Sequence, residues 1–377
     1  MSVFARSVSS ALLMASMIVP LASCSPPQDV ADVAQVVAGV NKPDANFAVE
    51  MVSRDTPQLV AGWPNSHPRV ALGWIAHQRT SSDPLIQPGD KLALAVWDND
   101  DTSLLSSPAQ KVIQLPDLRV ASDGTIFLPY IDQVYVAKMT PVQARKAIQD
   151  KLLEIIPSAQ VQLNYTSGTL NSVVVVAGVP NPGNVSLSDR STTVTSVLAQ
   201  SGGVPGGMAN PQVNLQRDGK SYRISADVLL QHPELDTTLR GGDKLFVTPD
   251  DRYFMSLGAA GKEAVINFTR DEITTLEAMS LIGGLDQGTA DPKGILILRN
   301  YPASAVSTDA AKGPPKQRMI FSFDLTSADG LFSAGEFKLE DRDLVLVTQS
   351  PLVNTRTVLN FVSGFLGAGR TVIAATN

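Results

Sequence analysis

One cysteine and three histidines are few for a chain of 377 residues, and each scarcity excludes a class of chemistry. The only cysteine is Cys24, so the rest of the chain can form no disulfide and supply no catalytic thiol. His67, His77 and His232 have no second His or Cys three or four positions away, the clustering that a zinc site needs. No serine stands in a G-x-S-x-G elbow, and no P-loop is present. Cationic residues are outnumbered: 30 Lys and Arg face 36 Asp and Glu, and the net charge of −6 argues against a nucleic-acid partner. Carboxylates are too plentiful for spacing to pick out a glycosidase pair. Asp98, Asp100 and Asp101 lie in an acidic run, but the run lacks the glycine and distant Glu of a calcium loop and reads as a solvated loop. No catalytic residue, metal or cofactor is therefore expected.

Apolar residues are not scarce. They make up 44% of the chain, enough for a core in two or three domains. The 27 glycines and 25 prolines are scattered, which suits many short strands joined by turns.

Near the start, residues 11–21 (ALLMASMIVPL) form an apolar run with Arg6 as the lone charge before it. The run is about half of the ~20 residues a membrane span needs, so it reads as an export signal. Leu21, Ala22 and Ser23 then precede Cys24, and this ending resembles the lipobox of bacterial lipoproteins. The resemblance implies cleavage before Cys24 and acylation of its thiol, and Ser25 at the second mature position implies sorting to the outer membrane. A plain signal peptide with a chance cysteine, or a buried free thiol, is the alternative. Residues 24–84 are expected to be a tether that becomes an ordered arm.

From residue 85 the pattern sharpens. Pro88-Gly89-Asp90 is a turn before the alternating strand Leu92-Leu94-Val96. Asp123-Gly124 reads as a hairpin turn before Ile126 to Pro129. Thr140 is an N-cap followed by Pro141, opening a helix to about Ile156 with Ile148, Leu152, Ile155 and Ile156 on one face. Two units then repeat. Val173 to Val179, a helix ended by Gly202-Gly203, the strand Val213 to Arg217 and Leu239-Arg240-Gly241-Gly242-Asp243 form the first. Phe254 to Ala259, a helix ended by Gly283-Gly284, the strand Ile295 to Arg299 and Leu339 to Val347 form the second, about 80 positions on. A Pro-, Ala- and Lys-rich insertion at 302–317 lengthens the second copy. The Gly-Gly pairs follow helices, so they are read as caps and not as phosphate cradles.

This order resembles the outer-membrane polysaccharide export lipoproteins, the Wza-like family. The signals are Pro88-Gly89-Asp90, Asp123-Gly124, Ile126 to Pro129, Ile131, Thr140 and the helix ending before Val161. Asp132 and Ala137 depart from the family's glycines, and Asp341-Arg342-Asp343 replaces Gly-Gly-Asp in the second repeat. The resemblance implies an α+β chain: a signal peptide at 1–23, a periplasmic polysaccharide-export domain at 85–168, SLBB β-grasp domains at 169–250 and 251–350, and a C-terminal segment at 351–377.

Residues 352–373 read as one amphipathic helix. Val358, Phe361, Val362, Phe365 and Leu366 lie on its apolar side, and Arg356, Asn360, Ser363 and Arg370 lie opposite. Taken alone, the pattern fits equally a helix packed on the last β-grasp unit and a membrane helix in a ring. The family resemblance implies the second: an α-helical transmembrane barrel with the apolar set facing lipid and the polar set facing a lumen. It further implies a lipid-anchored outer-membrane channel for capsular polysaccharide or exopolysaccharide, built as a homo-oligomeric ring, an octamer by family analogy. Its partner would be an inner-membrane polysaccharide co-polymerase with a tyrosine kinase, or an ABC exporter. The alternative is a periplasmic sugar-binding or adaptor lipoprotein without its own pore.

Overall fold

The computed structural model describes residues 32–38, 40, 45–68, 72–77, 83–98 and 112–350. They form two compact units. The first comprises the described residues of 1–69, 252–268 and 272–377, and the second comprises 70–251 and 269–271.

The chain enters through the first unit. Asp32 caps a single helical turn, α1 (Val33–Val36), by accepting the Gln35 N–H at 2.8 Å. Strand β1 (Phe47–Met51) and helix α2 (Thr56–Ala61) follow. The sequence reads this stretch as a tether that becomes an ordered arm; in it β1 is a sheet strand, and Trp63 after α2 is buried.

The second unit opens with β2 (Lys91–Trp97), flanked in one antiparallel sheet by β3 (Val112–Arg119) and later by β6 (Gln160–Thr166). The strands β4 (Thr125–Leu128) and β5 (Asp132–Tyr135) form a separate ribbon. Asp123-Gly124 lies in a closed turn, as expected: the Gly124 N–H donates to the Ala121 carbonyl at 3.0 Å and the Ala121 N–H to the Thr125 carbonyl at 2.8 Å; the ladder goes no further, since β3 pairs with β2 and β4 with β5. Asp132 adopts φ 60°, the left-handed backbone for which the glycine expected there is suited. Helix α3 (Pro141–Leu153) starts with a capping box: the Thr140 hydroxyl oxygen accepts the Gln143 backbone N–H, and the Gln143 side-chain oxygen accepts the Thr140 backbone N–H. Ala144, Ile148, Leu152 and Ile156 are buried beneath it. Ile155, expected on that face, is 40% exposed because the helix has already ended at Leu153.

Next come β7 (Ser172–Ala177), β8 (Gly183–Ser186), α4 (Val194–Gln200), β9 (Gln212–Arg217), β10 (Lys220–Ser225), α5 (Ala226–Gln231) and β11 (Lys244–Thr248). They make a five-stranded sheet in the order β10-β9-β11-β7-β8, with β11 parallel to β7.

The chain then returns to the first unit for β12 (Tyr253–Gly258), β13 (Ala264–Asn267), α6 (Thr275–Leu281), β14 (Ala290–Asn300), β15 (Arg318–Phe323), α7 (Ala328–Glu336) and β16 (Leu344–Gln349). Their sheet runs β15-β14-β16-β12-β13, the same path as the first copy, with β1 added parallel to β15 at the edge. The repeat read from sequence is thus a repeat of topology. The segment between β14 and β15 carries the insertion, and it holds α2 in place: the Trp63 indole N–H donates to the Ala310 carbonyl at 2.7 Å. The Trp63 ring stands edge-on to Tyr301 with centroids 5.8 Å apart.

Both Gly-Gly pairs end helices. Gly203 N–H donates to the Leu198 carbonyl and Gly284 N–H to that of Met279, each at 2.8 Å, with positive φ at all four glycines. No described helix is long and apolar enough to cross a membrane.

Candidate functional site

Three turns each end in a buried aspartate. In Gln87-Pro88-Gly89-Asp90, Arg240-Gly241-Gly242-Asp243 and Glu340-Asp341-Arg342-Asp343, the Asp carboxylate accepts the backbone N–H three residues earlier at 2.7, 2.8 and 2.8 Å. Its own N–H donates to the carbonyl of that same residue at 3.1, 3.1 and 3.2 Å. The residue before each aspartate is left-handed: Gly89 at 89°, Gly242 at 89° and Arg342 at 66°. Glycine does this without strain. Arginine does not, so the third turn is held against a cost of about 1–3 kcal/mol. A strand begins at once after each turn, as β2, β11 and β16.

What the aspartate grips differs. Asp243 takes a two-pronged pair from Arg217 at 2.9 and 2.6 Å, and Arg217 also donates to the Thr238 carbonyl. Asp343 repeats this with Arg299 at 2.9 and 2.6 Å, and the Lys338 carbonyl takes the place of Thr238. Both forks are buried, and planar guanidinium suits a carboxylate in this geometry. In the second copy Glu340 adds a third contact to Arg299 at 2.8 Å. Burial alone would lower the pKa of Arg299, but the charge and hydrogen bonds of Asp343 outweigh it and hold the guanidinium above its ordinary value. Burial also pushes the Tyr301 hydroxyl up to about 12.

Asp90 has no such arginine. It accepts from the Gly168 backbone at 2.6 Å and from Asn171 Nδ2 at 2.8 Å. Asn171 Nδ2 also lies 3.0 Å from the Leu85 carbonyl and 2.9 Å from the Tyr165 hydroxyl. Burial and the Asp90 charge raise the pKa of Tyr165, which keeps its proton. This knot ties β2 to the start of β7. Above it lies a cleft of about 240 Å³ whose wall includes Gln87, Asn171, Asp189, Arg190, Thr238 and Arg240. Asp189 is ionised there: hydrogen bonds from Ser191 and Thr192 hold its pKa below the ordinary value despite slight burial.

The residues singled out in the sequence fall elsewhere. Leu21, Ala22, Ser23 and Cys24, and Arg356, Val358, Asn360, Phe361, Val362, Ser363, Phe365, Leu366 and Arg370, all lie outside the described residues. The acidic run is not simply a solvated loop. Asp98 is buried at the end of β2 and accepts the Ser158 hydroxyl, because Ser158 precedes β6, the antiparallel neighbour of β2. The three histidines are not gathered. His67 neighbours Ser66, His77 meets the Asp236 carbonyl, and His232 meets Glu234. Among the described residues, no group of His, Cys, Asp and Glu is arranged to hold a metal. The two arginine–aspartate forks were not foreseen. Their signal was present, since Arg217 and Arg299 close equivalent strands of the repeat.

Comparison with known proteins bears on these modules directly. Residues 78–166 match the model of polysaccharide biosynthesis/export proteins, and residues 171–247 match that of the SLBB domain. Through these two modules the chain resembles the Wza-like polysaccharide export proteins. It is 24% identical to the capsule polysaccharide export outer membrane protein CtrA of Neisseria meningitidis, over 73% of this chain and 74% of that protein. It is 26% identical to the EPS I polysaccharide export outer membrane protein EpsA of Ralstonia solanacearum, over 85% and 86%. It is 21% identical to the Vi polysaccharide export protein VexA/TviF of Salmonella typhi, over 89% and 96%. The polysaccharide-export match contains the first aspartate turn and its knot up to Tyr165, and the SLBB match contains Asn171 and the Arg217–Asp243 fork.

Proposed function

We propose that this chain exports capsular polysaccharide or exopolysaccharide through the outer membrane, as the subunit of a ring-shaped channel. The observation that carries this reading is the joint presence of the export and SLBB modules in a chain that aligns over 85–89% of its length with EpsA and VexA/TviF. Acylated Cys24 anchors the chain, and the described β-rich units lie in the periplasm. The C-terminal segment lines the exit, with Arg356, Asn360, Ser363 and Arg370 toward the polymer and Val358, Phe361, Val362, Phe365 and Leu366 toward lipid. A ring makes this tolerable, because each copy turns its charges away from hydrocarbon. At ~1.5 Å per residue, the 22 residues from 352 to 373 span ~33 Å, close to the ~30 Å hydrocarbon core. With no P-loop in the sequence, energy comes from an inner-membrane co-polymerase and its kinase, or from an ABC exporter. The stiff aspartate turns suit a subunit that must keep its shape while a polymer slides past.

The test is a strain lacking the gene, complemented with the full chain or with a chain ending at Ser350. The full chain should restore surface polysaccharide, and the truncated chain should leave it in the periplasm. Normal surface polysaccharide from the truncated chain would favour the adaptor reading, in which the pore belongs to another protein.

A further inference from the structure

We infer that one end of the six-stranded sheet rests on the periplasmic face of the outer membrane, with Met51, Leu281 and Phe332 in contact with lipid; this rests on the export reading above. The strands of the first unit share that end. Met51 closes β1 beside Ser322, Gly258 closes β12 beside Val347, and Ile295 of β14 lies between Phe323 and Val347. The described chain leaves the unit there: Gln349 pairs with Ala290, and the Ser350 N–H donates to the Thr289 carbonyl at 2.8 Å. It also begins there. Gly294 has no side chain, and Val33 of α1 and Thr348 of β16 fill the space that one would need. The Thr348 hydroxyl donates to the Gly294 carbonyl at 2.9 Å. Chain length then decides what this end faces. The membrane segment read at 352–373 begins two positions after Ser350, a reach of ~7 Å. Cys24 lies eight positions before Asp32, a reach of ~28 Å at most. Both membrane attachments therefore depart from one end of the unit. The shorter reach matches the headgroup layer, ~5–8 Å thick on each side of the hydrocarbon, so this end stands at headgroup level.

Large apolar side chains are exposed on the elements that meet here. Met51 is 64% exposed, Leu281 41% and Phe332 72%. Helix α6 ends at this end, because the turn after β12 holds it: the Gly261 N–H donates to the Gly284 carbonyl at 3.0 Å, and the Asp286 N–H to the Ala259 carbonyl at 3.1 Å. Leu281 is the last residue of α6. Helix α7 starts at this end, because Leu325, just before it, donates its N–H to the Pro292 carbonyl at 2.9 Å in the first residues of β14. Phe332 lies ~6 Å along α7. Exposed aromatic and aliphatic side chains at headgroup level lose contact with water by entering the acyl boundary. The repeat offers a comparison. In the first copy, whose last strand leads to no membrane segment, the matching helix α4 ends in Gln200 where α6 ends in Leu281. Charge does not set the contact. Lys262 and Lys293 are exposed at this end among Glu263 and Asp286, so it presents no single sign to the headgroups. Apolar burial is the attraction, and it adds a weak third attachment to the acyl chains and the C-terminal segment.

The experiment uses the full acylated chain in vesicles of phosphatidylethanolamine and phosphatidylglycerol. Cys24 is the only native cysteine and carries the lipid in this reading, so one introduced cysteine is the only free thiol. A nitrobenzoxadiazole label is placed on Met51→Cys, Leu281→Cys or Phe332→Cys, and on Asn300→Cys or Arg318→Cys at the opposite end of β14 and β15. Those two positions are paired and exposed, ~17 Å along the strands from Ile295 and Phe323. Each label is read against a nitroxide-bearing lipid and against aqueous iodide. Labels at 51, 281 and 332 should lose fluorescence to the lipid quencher, and labels at 300 and 318 should lose it to iodide alone. Equal lipid quenching at the two ends, or lipid quenching confined to 300 and 318, overturns the assignment. So does protection of 51, 281 and 332 from both quenchers, which would give these side chains to a neighbouring copy. The complementation assay separates the two failures. If surface polysaccharide needs the full chain but the two ends quench alike, the lipid contact alone falls. If 51, 281 and 332 are quenched by lipid while the chain ending at Ser350 exports normally, the lipid contact stands and the channel reading falls.

Discussion

Replacing Asp343 by Ala strips the buried Arg299 guanidinium of its two-pronged partner. Both side chains are 1% exposed, so water cannot take the place of the carboxylate. Breaking a buried ion pair from one side costs about 3–5 kcal/mol, because the remaining charge is left uncompensated. Here Arg299 keeps Glu340 and the Lys338 carbonyl, which puts the expected cost near the lower end, about 3 kcal/mol. At 1.4 kcal/mol per factor of ten, opening of β14 and β16 becomes about a hundredfold more frequent. Amide hydrogen exchange on the full chain reads this strand by strand. Protection should fall in β14 and β16 and stay unchanged in β2 and β6 of the other unit. The pair Arg299→Met with Asp343→Leu removes both charges and should recover much of the loss, since well-packed apolar replacements of buried pairs are often neutral. Exchange in the single variant that stays within about threefold of the parent would refute the reasoning, and so would a double variant worse than the single one.

Further outcomes follow from other contacts. Trp63→Ala empties a space against Tyr301 and Phe321 and removes the bond to Ala310, so it should cost about 3–5 kcal/mol and expose residues 47–62 to protease. Asp189, Asp286 and Asp324 have pKa values held below the ordinary 3.8, each first of all by a Ser or Thr hydroxyl. Their stabilisation is full above that value and is lost as pH falls through the depressed values, so protease sensitivity of these loops should rise in strong acid and stay flat from neutrality to about pH 5. Cys24→Ala should impair outer-membrane sorting and ring assembly, read by fractionation and native electrophoresis, while leaving exchange protection of the described domains unchanged.

The sequence exposed the repeat because the same signals recur in the same order: an apolar strand, a helix closed by Gly-Gly, a second strand, and a turn ending in aspartate. These are local signals with local causes, and the structure places each of them. What stayed hidden is non-local. Nothing in Phe47 to Met51 says that it will pair with residues 318–322, since a parallel partner more than 260 positions away leaves no mark on local periodicity. Trp63 looked like part of a turn because of Pro64 and Pro68, yet its ring is buried by the distant insertion. Asp98 looked solvated because its neighbours are acidic, yet its burial is set by Ser158 across the sheet. The forks were half legible. Arg217 and Arg299 occupy matching places, but pairing them with Asp243 and Asp343 requires the fold. The cleft was not legible, because Gln87, Asn171, Arg190 and Arg240 come from four separate stretches.

The central claim is a ring whose C-terminal segments cross the outer membrane. Electron microscopy of the acylated, detergent-solubilised full chain tests it most directly. The account predicts a closed ring with helical density through the detergent belt and a continuous axial lumen. Monomers, or rings whose belt is empty, would contradict it.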